Sequence, residues 1–133
     1  MAECVIVDTS AFLALLSSND SHHAEARICY ERLIDNEREL CTTSYILVEM
    51  AALIHRRFGS ETFKTFMESI DESIDVIWID RATHHEAWKA MSRRTEKDLS
   101  LVDWITWVVA LRLGAKVLCF DKDLVRIGLP VLP

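Results

Sequence analysis

Four acidic residues stand apart from the other charges of this chain by where they sit. Asp8 directly follows the apolar run CVIV, and Asp121 directly follows KVLCF. Glu49 is the only charge in the ten residues 45–54 (YILVEMAALI), with Ile46 and Leu53 at helical spacing on either side, so it turns with the apolar stripe. Asp103 comes three residues after Ser100, at the start of WITWVVAL, a stretch apolar all round. Each acid has an ordinary structural role open to it. Asp8 and Asp121 suit helix N-caps, worth about 1 kcal/mol each; Ser100 and Asp103 match a capping box with Asp in the place usual for Glu or Gln; Glu49 suits a carboxylate held by a nearby donor. Gathered in one pocket, however, the four would repel one another and lose their charge unless positive charge compensates. Mg²⁺ or Mn²⁺ meets that need, because hard ions take oxygen ligands, use few carboxylates and keep several waters. A pair of such ions can activate water and stabilise the leaving oxygen in phosphodiester hydrolysis.

The elements that must bring these acids together alternate along the chain. Residues 4–7 predict a strand, 9–17 and 21–36 helices, and 39–42 a second strand. A helix over 43–58 ends at Gly59, Ser60 caps a helix running to about residue 72, and IDVIWI at 74–79 alternates as a strand does. Helix returns over 81–94, Ser100 opens another that runs to Leu113, and Gly114 stops it. Residues 116–120 form a buried strand, 123–127 a short helical turn and 130–132 a last strand. Helices between every pair of strands imply an α/β parallel sheet covered on both faces, whose site lies beyond the carboxyl ends of the strands. Asp8 and Asp121 then emerge at one edge.

Length and composition narrow the setting. The 133 residues fit a single domain, and with half of them hydrophobic, three Gly and two Pro, little of the chain is suited to disorder. No apolar run is long enough to cross a membrane, and the acid at position 3 opposes a signal peptide, so a cytoplasmic location is expected. Cys4, Cys29, Cys41 and Cys119 show no paired or zinc-like spacing and are expected to be reduced, mostly packing, residues. A net charge of −6 argues against a broad basic grip on nucleic acid, so metal ions would have to mediate contact with phosphate. Arg56, Arg57, Arg93, Arg94, Lys97 and Lys122 are the candidates for a local basic rim.

With these residues in hand, the chain resembles the PIN domain family and, within it, the small toxin ribonucleases of the VapC type. The resemblance spans nearly the whole chain, residues 1–133 being one PIN-like domain, and rests on four motifs in order: VIVDTS at 5–10, residues 44–52 around Glu49, LSLVD at 99–103 and FDKD at 120–123. It implies a three-layer α/β/α sandwich with a five-stranded, mainly parallel sheet and Mg²⁺- or Mn²⁺-dependent endoribonuclease activity. It also implies a homodimer, and inhibition by a cognate antitoxin. By matching position, Asp8, Glu49, Asp103 and Asp121 are the acidic quartet, with Asp8 and Asp103 direct metal ligands, while Thr9 or Ser10 orders the site or binds phosphate. Cys119 departs from the pattern, since a hydroxyl residue is usual two positions before the fourth acid. Glu96 and Asp98 read as a solvated loop.

Other α/β chemistries fit less well. A haloacid-dehalogenase-like site wants an acid where Ser10 stands, a receiver domain wants an acidic pair before a mid-chain aspartate, and neither a nucleophile triad nor a glycine-rich phosphate loop is present. The competing reading is a PIN-fold protein-binding module, catalytically weak, whose acids serve as caps. The tryptophans Trp78, Trp88, Trp104 and Trp107 read as core ahead of an interface, and the pairs His22–His23 and His84–His85 as surface, since adjacent helix positions point about 100° apart. The expected reaction is in-line attack by activated water on RNA, single-stranded or looped, leaving a 5′-phosphate and a 3′-hydroxyl.

Overall fold

The structure, a computed structural model, describes residues 4–133. Strands β1 (Cys4–Val7), β2 (Glu39–Thr43), β3 (Asp75–Ile77), β4 (Lys116–Leu118) and β5 (Val131–Leu132) make one sheet in the order β3-β2-β1-β4-β5, with every pairing parallel. Parallel neighbours need crossover connections, and helices supply them. Helices α1 (Thr9–Leu16) and α2 (His23–Asp35) lie between β1 and β2, and α3 (Ser44–Phe58) and α4 (Ser60–Ser73) between β2 and β3. Helices α5 (Arg81–Arg93) and α6 (Leu101–Leu113) lead to β4, and α7 (Asp123–Arg126) precedes β5.

The middle strand shows why the sheet is covered on both faces. Val5, Ile6 and Val7 are all fully buried, and since successive side chains of a strand point to opposite faces, both faces carry packed helices. Trp104, Ile105 and Val108 of α6, with Ile46, Met50 and Ile54 of α3, supply much of that packing. Chain order reverses beside β1: the connections from β1 go first to β2 and β3, then return to β4 on its other side. Such a switch point leaves a crevice at the carboxyl ends of the strands, here between the ends of β1 and β4.

Several element ends differ from expectation for local reasons. Helix α2 starts at His23 rather than residue 21, because Asp20 Oδ1 accepts from the His22 backbone N–H at 2.8 Å and forms a turn. Ser60 is the first residue of α4 and not its cap; Gly59 takes that position at φ 87°, a conformation other residues rarely adopt. β3 is shorter than 74–79, since the Ile79 N–H turns to Ser44 Oγ. β4 stops at Leu118, and the Phe120 N–H turns to Ser10 Oγ.

Two expectations are corrected outright. Cys4 and Cys41 are joined in a disulfide and not reduced. The β1–β2 register places Ile6 opposite Cys41 and Cys4 opposite Glu39, so both cysteines share a face of the sheet with their Cα atoms 6.3 Å apart, within disulfide reach. Cys29 and Cys119 are free. Of the tryptophans, Trp104 is core and Trp107 packs edge-on against it, but Trp88 is exposed and Trp78, just past edge strand β3, is 77% exposed. Among the described residues no helix is long and apolar enough to cross a membrane.

Candidate active site

Asp8 ends β1 at the crevice, its N–H donating to the Leu118 carbonyl of β4 at 3.1 Å, so the sheet pairing itself fixes the backbone under the carboxylate. The side chain caps α1 as expected: Oδ2 accepts from the Ser10 N–H at 3.4 Å and from the Ser10 hydroxyl at 3.1 Å. The same hydroxyl accepts from the Phe120 N–H at 2.9 Å. Ser10 therefore ties the first acid to the loop that carries the fourth. Oδ1 of Asp8 and the Thr9 hydroxyl are buried without any hydrogen-bond partner, a costly arrangement for a carboxylate only 3% exposed. Burial, and after it the charge of Asp103, pushes the Asp8 carboxyl from the ordinary 3.8 up to about 6.

Asp103 stands in the first turn of α6, where the expected capping box is complete. Its Oδ2 accepts from the Ser100 N–H at 2.9 Å and from the Ser100 hydroxyl at 3.1 Å, and the Asp103 N–H donates to Ser100 Oγ at 3.3 Å. Burial raises its carboxyl, and the charges of Asp121 and Glu49 add to that. These mutual effects place all four predicted acids in one electrostatic neighbourhood. The loops around α6 are held by further contacts: Arg94 lies over the Trp104 ring at 5.4 Å and pairs with Glu96 at 2.7 Å, while Asp98 reaches Arg126 of α7 at 3.8 Å.

Glu49 is half-buried, less enclosed than its sequence setting suggested. The centre of the α3 stripe is Ile46, Leu47, Met50 and Ile54, and Glu49 lies at its edge. Asp121 is exposed; Oδ1 accepts from the Asp123 N–H at 2.9 Å, and Lys122, not Asp121, takes the cap position of α7. Cys119 fills the usual hydroxyl position by donating its thiol to the Asp121 carbonyl at 3.5 Å. Burial, with the charge of Asp8, drives that thiol up to about 12, so it stays protonated as a weak turn-closing donor.

Among the described residues none of the four carboxylates has a Lys, Arg or His partner. Nor do any three His, Cys, Asp or Glu side chains among them form a group placed to hold a metal ion by themselves. An orphaned buried carboxylate oxygen that feels the charge of a second acid fits a small hard cation that keeps part of its water shell. It does not fit a fully protein-ligated ion. Of the proposed basic rim, Arg94 is engaged by Glu96 and Trp104, Arg56 and Arg57 are in the last turn of α3 well beyond Glu49, and Lys122 adjoins Asp121.

Sequence reasoning missed three contacts around the site because each joins distant segments. His22 stacks on Phe120, His23 Nδ1 lies 2.7 Å from the Ala14 carbonyl, and Tyr45 shares a 2.5 Å hydrogen bond with His84. His22 and His85 are exposed as expected, whereas His23 and His84 are half-buried.

Carboxylates that interact electrostatically at the switch point of a five-stranded parallel sheet mark an α/β protein with an acidic centre. The chain belongs to the PIN domain family, whose family pattern matches residues 5–129. It is similar in structure to VapC20 of Mycobacterium tuberculosis, described as a toxin that cleaves the sarcin–ricin loop, with 26% identity, a TM-score of 0.81 and coverage of 94% of this chain and 95% of that one. VapBC2 of Rickettsia felis, solved on a fragment of promoter DNA, matches with a TM-score of 0.74 at 10% identity over 97% of each chain. DNA-bound VapBC of Salmonella typhimurium matches with a TM-score of 0.73 at 16% identity over 99% and 98%. The last two establish likeness of fold alone. No curated protein sequence is significantly similar to the chain.

Proposed function

We propose that this protein is a divalent-metal-dependent endoribonuclease, the toxin of a toxin–antitoxin pair, that hydrolyses phosphodiesters in an unpaired loop of a structured RNA. The observation that carries the reading is Asp8: a buried carboxylate with one oxygen unpartnered, raised by the charge of Asp103, and with no Lys, Arg or His ion pair among the described residues. The likeness to a loop-cleaving toxin at 26% identity supports RNA as substrate. Mg²⁺ or Mn²⁺ bound there would neutralise phosphate charge and lower the pKa of water for attack.

The chain's own residues prepare that centre. Asp8 and Asp103 offer the directly ligating oxygens, each already fixed by a serine on its Oδ2. Glu49, half-buried at the rim, and Asp121, exposed on the β4 loop, complete the quartet from the solvent side, where an RNA backbone approaches. Thr9, with its hydroxyl unpartnered, is a donor for phosphate. Hydrolysis in this arrangement needs no covalent protein intermediate and leaves a 5′-phosphate and a 3′-hydroxyl.

The partners in this reading are a second copy of the chain and an antitoxin, in a cytoplasmic setting. For the antitoxin we assign the apolar groove of about 440 Å³ lined by Phe12, Leu15, Leu16, Tyr30, Phe66 and Ile70. A toxin–antitoxin complex of Klebsiella pneumoniae shares this fold, and a basic, amphipathic segment would complement a chain of net charge −6. The test is cleavage of RNA by purified protein freed of any partner, with Mg²⁺ or Mn²⁺ and with EDTA, comparing wild type with Asp8→Asn and Asp103→Asn. Cutting that needs both the ion and both acids is expected. Equal background from all three proteins, with no ion binding by calorimetry, would leave a protein-binding module.

A further inference from the structure

The loop joining α1 to α2 is anchored at each end by side-chain contacts. His23 Nδ1 lies 2.7 Å from the Ala14 carbonyl of α1, and the His22 N–H donates to Asp20 Oδ1 at 2.8 Å. This fixes the His22 imidazole against the Phe120 ring, with centroids 4.8 Å apart and planes within 19° of parallel. Phe120 is itself tied to the acidic centre: its N–H donates to the Ser10 hydroxyl that holds Asp8, and Asp121 is the next residue. His22 Nδ1 lies 3.8 Å from Glu25 Oε2, its side chain is 47% exposed, and among the described residues no second ring lies against its other face.

We propose that His22, backed by Phe120, is a stacking platform for an unpaired RNA base next to the scissile phosphate. The inference rests on the ribonuclease reading and extends it by naming a substrate-positioning residue. A preassembled two-ring stack beside a phosphate-cutting centre extends naturally by one more ring, and unpaired bases are commonly held on aromatic and histidine faces. Such stacking needs little positive charge, which suits a protein of net charge −6. It also tolerates any base, so the platform selects for an unstacked nucleotide rather than for a sequence.

The test is the affinity of a fluorescent hairpin RNA with an unpaired loop for protein with all four acids intact, read by anisotropy in Ca²⁺, another hard oxygen-seeking ion. The RNA is checked to be uncut at the end of each measurement, and single abasic sites are walked through the loop. One abasic position should weaken binding roughly 5- to 100-fold, and His22→Ala should give the same loss with intact RNA. The two losses should not add when combined, whereas His22→Phe should retain affinity. In otherwise wild-type protein, His22→Ala should raise KM while kcat changes little. Equal sensitivity at every abasic position, additive losses, or no binding at all would overturn the platform. Cleavage without this coupling leaves the nuclease reading intact, and coupled binding without cleavage leaves the platform and removes the nuclease.

Discussion

Asp8 would combine two opposed demands in the proposed function: burial that disfavours its charge and a metal-ligating role that requires it. Because its carboxyl is raised from the ordinary 3.8 to about 6, the folded chain holds a proton over a range in which the unfolded chain has lost it. Stability from this group is therefore fully present below about pH 4 and is lost as the pH climbs through 6, a change on the order of 3 kcal/mol. The half-buried Asp103 shifts in the same direction. Denaturant melts from pH 4 to 7 without metal should show that decline in wild type and a shallower one in Asp8→Asn, and Mg²⁺ should restore wild-type stability at pH 7. Superimposable profiles would mean Asp8 is not under strain from its own charge. Ser10 makes a separate prediction at this scale. Its hydroxyl holds Asp8 and accepts from Phe120, so Ser10→Ala should cost roughly 10- to 100-fold in cleavage or ion affinity. Far-ultraviolet circular dichroism should stay unchanged; a fully active Ser10→Ala would show that the β1 and β4 backbones position Asp8 unaided.

Helix α6 delivers its acid by a local device, the capping box of Ser100 and Asp103. Ser100→Ala should lower stability by about 1 kcal/mol through the lost cap and should also weaken ion binding, measured by calorimetry, because Asp103 loses its fixed rotamer. Loss of stability with unchanged ion affinity would confine Ser100 to a structural role. That box was readable from the sequence, as were β1, β4 and the acids that follow them, because unbroken apolar runs and cap spacing are properties of a few adjacent residues. Glu49 was readable as to face but not depth: spacing of three and four finds the side of a helix, whereas its place at the edge of the α3 stripe depends on what packs there. The Cys4–Cys41 bond, the His22–Phe120 stack and the Tyr45–His84 pair were not readable. Each joins residues at least 37 positions apart, and only the strand register or the turn between helices brings the two sides together. Strand ends were overextended for a related reason: apolar side chains at Trp78 and Phe120 continue the pattern after the backbone has left the ladder.

At the scale of the whole molecule, the proposed ribonuclease must contend with its own charge balance. With a net charge of −6, neutralisation of phosphate would fall to bound ions and recognition to shape. RNA affinity should therefore vanish with EDTA and depend weakly on monovalent salt, with a log–log slope no steeper than about −2, equivalent to two or three phosphates at about 0.7 each. A steep slope persisting without divalent ions would point to a basic surface elsewhere on the molecule. The strand order carries a last consequence. β1 meets β4 at the crevice, so Asp8 and Asp121 become neighbours only when a segment near the end of the chain docks against one near its beginning. During synthesis, domains form as the chain emerges from the ribosome, and a nascent chain that has exposed β1, β2 and β3 holds Asp8 and Glu49 without the other two acids. The four acids can therefore come together only after nearly the whole chain has been translated, a timing built into the topology.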